Sequence, residues 1–78
     1  MAIRYTAKQV GEIVRKTRRD LGVTQENLAL TSGSGLRFII DLEHGKPTCQ
    51  IEKTLTVLHT LGIAIDLHPP SEKSEKGK

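Results

Sequence analysis

Glycines at positions 22, 33, 45 and 62 divide this sequence into short segments in which apolar residues recur every three or four positions. That spacing is typical of helices with one buried side. Glycine readily takes the left-handed conformation that ends a helix, so each segment is predicted to be one helix. A chain of 78 residues leaves room for one small domain. The sequence therefore predicts an all-α fold of four to five helices.

The first two helices have recognisable starting residues. Thr6 is a suitable N-cap for a helix that should end before Gly22, and Thr24 is a suitable N-cap for the second helix. Glu26 is favourable in the first turn of that second helix. The residues expected to face inward are Ala7, Val10, Ile13, Val14, Thr17 and Leu21 in the first helix, and Leu28, Ala29 and Ser32 in the second.

The third helix is predicted from about Leu36 to Glu43, and Gly45 should end it. A fourth helix is predicted from about Cys49 to Leu61. Its buried stripe is expected to consist of Ile51, Leu55, Leu58 and Leu61.

Residues 63–67 follow a different rhythm, in which Ile63, Ile65 and Leu67 alternate with Ala64 and Asp66. Alternation with a period of two is typical of a β-strand with one buried face. A single strand cannot satisfy its own backbone groups, so we expect it to pair with the same strand of a second molecule. The alternative is that this segment packs against its own helices without pairing. The first possibility predicts a homodimer.

The sequence changes character after His68. Two prolines are followed by a run of serine, glutamate, lysine and glycine that contains no apolar residue. Such a segment cannot bury enough surface to offset the entropy of ordering it. We therefore expect one domain over residues 1–68 and a disordered charged tail over residues 69–78.

Charge is distributed unevenly along the chain, whose formal net charge is +3. Residues 1–24 carry six positive side chains against two negative ones, and all but one of the six lie on or beside the first helix. Such a face is either solvated or a contact surface for nucleic acid. Arg15, Lys16 and Arg19 are candidates for contacts with phosphate or with a protein partner.

Several classes of function lack support in the sequence. The single cysteine excludes an internal disulfide and a thiolate zinc site, and a lone thiol is typical of the cytoplasm. The three histidines have no metal-ligand spacing, and no catalytic set of side chains is recognisable. Two aromatic residues are too few to stack single-stranded nucleic acid. We expect no enzyme activity, no metal or other cofactor and no membrane span.

Two short helices joined by residues 32–35, Ser-Gly-Ser-Gly, match the helix-turn-helix arrangement that binds DNA. The small residues allow two helices to meet at a steep angle within a few positions. The third helix would then lie in the major groove, with its N-terminal residues towards the edges of the bases.

The sequence around these helices resembles a known family. Residues 21–29, Leu-Gly-Val-Thr-Gln-Glu-Asn-Leu-Ala, are followed by Gly33 and then by Ile39-x-x-Leu-Glu-x-Gly-Lys46. This pattern, within residues 8–62, is similar to the XRE (Cro/repressor-type) helix-turn-helix family, which has a lambda-repressor-like fold. The strand and the charged tail are similar to those of HipB-type antitoxins.

The resemblance implies a dimeric, sequence-specific repressor that binds an inverted-repeat operator in double-stranded DNA. It also implies a role as the antitoxin of a HipA-like kinase toxin. Two alternatives remain open: a stand-alone or phage-type regulator, and a protein-interaction adaptor that does not read DNA. A salt bridge between Arg18 and Glu43, structural in role, is also implied.

The sequence departs from the family at the turn, where an aliphatic residue and a Ser or Thr N-cap are replaced by Ser34 and Gly35. Phe38 is a candidate to fill the core position that Ser34 leaves. Leu36 and Ile40 either contact thymine methyl groups or belong to the core.

Ten residues are predicted to form the DNA-binding surface: Thr24, Gln25, Ser34, Gly35, Leu36, Arg37, Ile40, Asp41, His44 and Lys46. Arg37 is the candidate for a bidentate contact with guanine, although a phosphate contact or a solvated side chain is also possible. Gln25 would contact the DNA backbone or support the third helix. Asp41 could accept a hydrogen bond from cytosine, pair with Arg37, or have no role.

Overall fold

Four α-helices follow one another in the described part of the chain, residues 5–47 and 50–70 of a computed structural model. They are α1 (Ala7–Asp20), α2 (Gln25–Ser32), α3 (Leu36–Glu43) and α4 (Ile51–Thr60). The start of α1 and the bounds of α3 agree with the prediction. The fourth helix begins at Ile51, after an N-cap at Gln50, and Cys49 lies outside the described residues.

Local hydrogen bonds explain where the first two helices begin. The Thr6 hydroxyl accepts from the Gln9 backbone N–H, and the Gln9 side chain accepts from the Thr6 backbone N–H, which together form a capping box. The Thr24 hydroxyl accepts from the Asn27 backbone N–H at 3.0 Å. Both threonines are therefore the N-caps predicted from the sequence.

Gly33 ends α2 with a left-handed backbone, at φ 68°. Its N–H donates to the carbonyl oxygen of Leu30, and the N–H of Ser34 donates to that of Ala29, both at 3.2 Å. This closure satisfies carbonyl groups at the end of the helix and turns the chain sharply into α3.

The core lies where α3 packs on α1 and α2, and where α4 packs on α2. Val10, Val23, Phe38 and Ile63 are half-buried against it. Its buried hydrophobic residues are Val14, Leu28, Ala29, Ile39, Leu42, Val57, Leu58 and Leu61.

Four residues predicted to face the core are instead exposed: Ile13, Leu21, Ile51 and Leu55. In α4 the buried residues are Val57, Leu58 and, at its C-cap, Leu61. Only the C-terminal half of α4 therefore reaches the core, and a stripe counted over the whole helix overestimates its buried face. Ser32 is half-buried, and its hydroxyl donates to the carbonyl oxygen of Leu28.

The strand predicted over residues 63–67 is not formed in the single chain, where residues 63–69 have no regular secondary structure. A β-ladder needs a second strand, and the described residues contain none. Ile63 packs against the core, whereas Ile65 and Leu67 are exposed. The tail predicted to be disordered lies outside the described residues from position 71 onwards. Across the described ranges, no helix is long and apolar enough to cross a membrane.

Candidate nucleic-acid interface

An ion pair between Arg18 in α1 and Glu43 in α3 joins the two helices, as the resemblance implied. The Arg18 Nε donates to Glu43 Oε2 at 2.6 Å and Nη2 donates to Oε1 at 3.1 Å. The Arg18 Nη1 also donates to the carbonyl oxygen of Val23 at 2.8 Å. The two side chains are only 12% and 4% exposed, so the pair lies largely out of water.

Gln25, at the start of α2, completes this cluster. Its Nε2 donates to Glu43 Oε1 at 3.1 Å, so one carboxylate receives hydrogen bonds from both α1 and α2. Of the two roles considered for Gln25, its side chain performs the support of α3 in this structure. The cluster holds α2 and α3 in a defined orientation, which a helix-turn-helix requires.

The beginning of α3 is open to solvent. Its N-cap is Gly35, which has no side chain to cap the first backbone N–H groups, and Leu36 and Arg37 in the first turn are both exposed. Ile40 is half-buried. Neither Leu36 nor Ile40 belongs to the buried core, which leaves apolar side chains available on the surface of this helix.

Two residues around the turn face the interior instead. Phe38 is half-buried against the core, with Lys53 Nζ 5.8 Å from the centre of its ring. Ser34 is only 7% exposed. This burial corrects the expectation that Ser34 contributes a side chain to the DNA-binding surface.

Asp41 connects two cations on the outer side of α3. Its Oδ1 lies 3.6 Å from Arg37 Nε and its Oδ2 lies 3.6 Å from Lys46 Nζ. The structure therefore contains the pairing with Arg37 that was one of the three possibilities for Asp41.

A surface groove of about 360 Å³ runs between α1 and α3. It brings Arg15 of α1 next to residues of the second and third helices. The groove is lined by Arg15, Arg18, Gln25, Ile40, Glu43 and His44. Since Arg18 and Glu43 neutralise each other, Arg15 is the uncompensated charge at this groove, and it has no ion-pair partner among the described residues.

The remaining predicted contacts lie around these features. Thr24 and His44 are exposed, at the N-cap of α2 and the C-cap of α3 respectively. Lys46 follows two positions later and is also exposed. Within the described ranges, no group of three His, Cys, Asp or Glu side chains could hold a metal ion.

Gly11 is buried in the middle of α1, and its role was not predicted from the sequence. A Cβ atom at this position would collide with the carbonyl oxygen of Leu42 and would lie 3.0 Å from that of Glu43. Gly11 therefore lets the backbone of α1 approach the C-terminal turn of α3. A glycine inside an otherwise regular helix costs about 1 kcal/mol relative to alanine, and that cost is the signal that could have identified it.

Known proteins of similar sequence and structure are consistent with this geometry. No protein-family model matches the chain. The chain is 50% identical over 68 residues to an uncharacterized HTH-type transcriptional regulator, y4mF, of Sinorhizobium fredii (strain NBRC 101917 / NGR234). The alignment covers 87% of this chain and 90% of that relative.

Two solved structures share the fold. HipB in complex with the O4 20mer has a TM-score of 0.76 and 20% identity, covering 90% of this chain and 99% of that one. A HipB variant in complex with the O2 20mer has the same TM-score of 0.76 and 20% identity, covering 90% of this chain and 97% of that one. The predicted all-α helix-turn-helix fold and its resemblance to HipB are confirmed.

Proposed function

The chain belongs to the HTH-type transcriptional regulators, and we propose that it is a sequence-specific DNA-binding repressor and, from its likeness to HipB, the antitoxin of a HipA-like kinase toxin. The observation that carries the DNA-binding part is the exposed first turn of α3, which follows α2 after the sharp turn at Gly33. In helix-turn-helix proteins the N-terminal part of the motif's second helix, which corresponds to α3 here, enters the major groove. The HipB complexes with 20mers have the same fold.

In the proposed complex the exposed side chains of α3 read the bases. The Arg37 guanidinium, which is 82% exposed, can donate two hydrogen bonds to guanine O6 and N7. Leu36 and Ile40 can contact thymine methyl groups. Charge would supply general attraction to DNA, and these contacts would supply much of the discrimination between sequences.

Groups around α3 would contact the phosphate backbone. They include the backbone N–H groups that follow Gly35, because the beginning of a helix attracts anions. The proposed phosphate contacts also include Thr24, His44 and Lys46, which are exposed. Gln25 is the fourth, although its side chain also donates to Glu43. Arg15 joins them because it lines the groove between α1 and α3.

We also propose that two copies of the chain associate through residues 63–67. Ile65 and Leu67 are exposed, and residues 63–67 form no β-ladder within the described chain. Pairing two such segments would cover the side chains and satisfy the backbone. The dimer would bind an inverted repeat with half-sites about 34–36 Å apart, or a multiple of that distance.

The DNA-binding proposal is tested by a gel-shift titration. The probe is the DNA directly upstream of the coding sequence, and the control is a duplex of the same length and composition in shuffled order. We expect tighter binding to the upstream DNA, by about tenfold or more. Equal affinity for the two duplexes would contradict sequence-specific recognition and would favour a protein-interaction adaptor.

The antitoxin role rests on the likeness to HipB, and its test is separate. The gene next to this one would be expressed together with an affinity-tagged form of this chain. We expect a HipA-like kinase to co-purify with it and to lose its toxicity in its presence. A neighbouring gene of another kind, together with specific DNA binding, would instead identify a stand-alone regulator.

A further inference from the structure

The carboxylate of Asp41 lies between the two cations on the exposed side of α3. One oxygen faces Arg37 Nε and the other faces Lys46 Nζ, each at 3.6 Å. Asp41 is 24% exposed, whereas Arg37 is 82% and Lys46 is 55% exposed. The carboxylate is therefore the more fixed member of the cluster, and the two long side chains extend from it into solvent.

The position of Asp41 determines which edge of the Arg37 guanidinium is available. The carboxylate occupies the Nε side, so the two Nη groups at the far end remain free to donate outwards. A bidentate contact with guanine needs two parallel N–H donors on one edge. Restraining a long side chain before it binds also lowers the entropy that binding costs.

The same carboxylate weakens contacts that do not depend on sequence. Arg37 and Lys46 carry two positive charges, and Asp41 neutralises one of them. Phosphates attract cations whatever the base sequence, and a carboxylate close to the DNA repels the phosphates. Asp41 should therefore reduce the affinity of this cluster for any DNA while it favours one orientation of Arg37.

We propose that Asp41 is a specificity-determining positioning residue: it acts through Arg37, directing the guanidinium towards a guanine and limiting its attraction to phosphates. This inference rests on the proposed DNA-binding function. In a direct role, Asp41 itself would accept a hydrogen bond from cytosine. In the proposed role, the base preference belongs to Arg37.

The test uses Asp41→Asn, which keeps the shape of the side chain and removes its charge. The wild-type chain first selects its preferred site from a pool of random-sequence duplexes, and affinities are then measured on all single-base-pair variants of that site. The position read by Arg37 is the one whose preference disappears in Arg37→Ala. At this position we expect Asp41→Asn to reduce discrimination by about fivefold or more. Affinity for a non-specific duplex should rise several-fold, with a steeper dependence on salt.

A double-mutant cycle separates the positioning role from a direct one. If Asp41 acts through Arg37, adding Asp41→Asn to Arg37→Ala leaves the pattern of base preference unchanged. A new loss of preference at another position in the double variant would overturn the proposal, since Asp41 would then read a base itself. Asp41→Glu restores a carboxylate and should recover part of the discrimination.

The exposed Glu12 of α1 provides the matched control, because Glu12→Gln makes the same change in net charge on a different helix. A rise in non-specific affinity equal to that of Asp41→Asn would show an effect of net charge alone and overturn the proposal. Unchanged discrimination in Asp41→Asn, with clear preference in the wild type, would overturn only this inference. A wild-type chain without any base preference would remove the proposed function itself.

Discussion

Arg18 Nε lies 2.6 Å from Glu43 Oε2, and this ion pair joins the C-terminal turn of α1 to the end of α3 across a largely buried interface. Each charged group has a further hydrogen-bond partner. Gln25 donates to the Glu43 carboxylate, and Arg18 donates to the carbonyl oxygen of Val23. Replacing such a pair by apolar residues can be neutral, whereas removing one partner leaves a buried charge without compensation. The main role of the pair is therefore to orient α3 relative to α1.

Glu43→Ala should lower the free energy of unfolding by about 3 kcal/mol, because it leaves the Arg18 guanidinium buried without its carboxylate. Urea unfolding followed by circular dichroism measures this change. Asp20→Asn is the control, since it breaks the exposed pair between Lys16 and Asp20 and should cost ~0.5 kcal/mol or less. Equal losses in the two variants would mean that burial of the pair has no energetic consequence.

Gly11→Ala should destabilise the chain although alanine is the better helix former. The gain in helix propensity is about 1 kcal/mol, but the added Cβ would overlap the carbonyl oxygen of Leu42. Because α1 and α3 would be forced apart, the free energy of unfolding should fall by about 1–2 kcal/mol in total. The same urea unfolding experiment measures this change. Glu12→Ala, at the neighbouring exposed position, should change stability little. A more stable Gly11→Ala variant would show that the two helices can separate without cost.

Arg15→Ala should weaken binding to every DNA sequence by a similar factor. Arg15 lines the groove beside Ile40 and His44, where a phosphate of the bound DNA is proposed to lie. Loss of one phosphate contact should reduce the slope of log K against log salt by about 0.9. Lys16→Ala is the matched control, because Lys16 pairs with Asp20 at 2.9 Å and does not line the groove. A change confined to one base position would instead indicate that Arg15 reads a base.

Ile65→Asp should shift the chain from dimer to monomer in sedimentation experiments at micromolar concentration. Ile65 belongs to the segment proposed to pair between two copies, and a charge there would have to be desolvated in the dimer. Leu30→Asp is the control, since Leu30 is also exposed but lies on α2. A wild-type chain that is monomeric in this range would contradict the proposed dimer.

The helix bounds could be predicted well from the sequence because their causes are local. Thr6 and Thr24 form their capping hydrogen bonds within three residues, and the turn at Gly33 depends on the backbone freedom of one residue. The least successful prediction is the buried stripe of α4. A helical period shows that one side is apolar, but the extent of contact with the core depends on where the helix lies.

The helices, the turn between α2 and α3, and the resemblance to HipB could be predicted from the sequence, because these depend on neighbouring residues and their spacing. Which polar groups meet could be seen only in the folded chain. Gln25 donates to Glu43, and Arg15 lines a groove with Ile40 and His44. Contacts between residues distant in the chain depend on how the helices cross and how closely they approach. Gly11 makes the close approach of α1 to α3 possible, because it has no Cβ atom to collide with the backbone of α3.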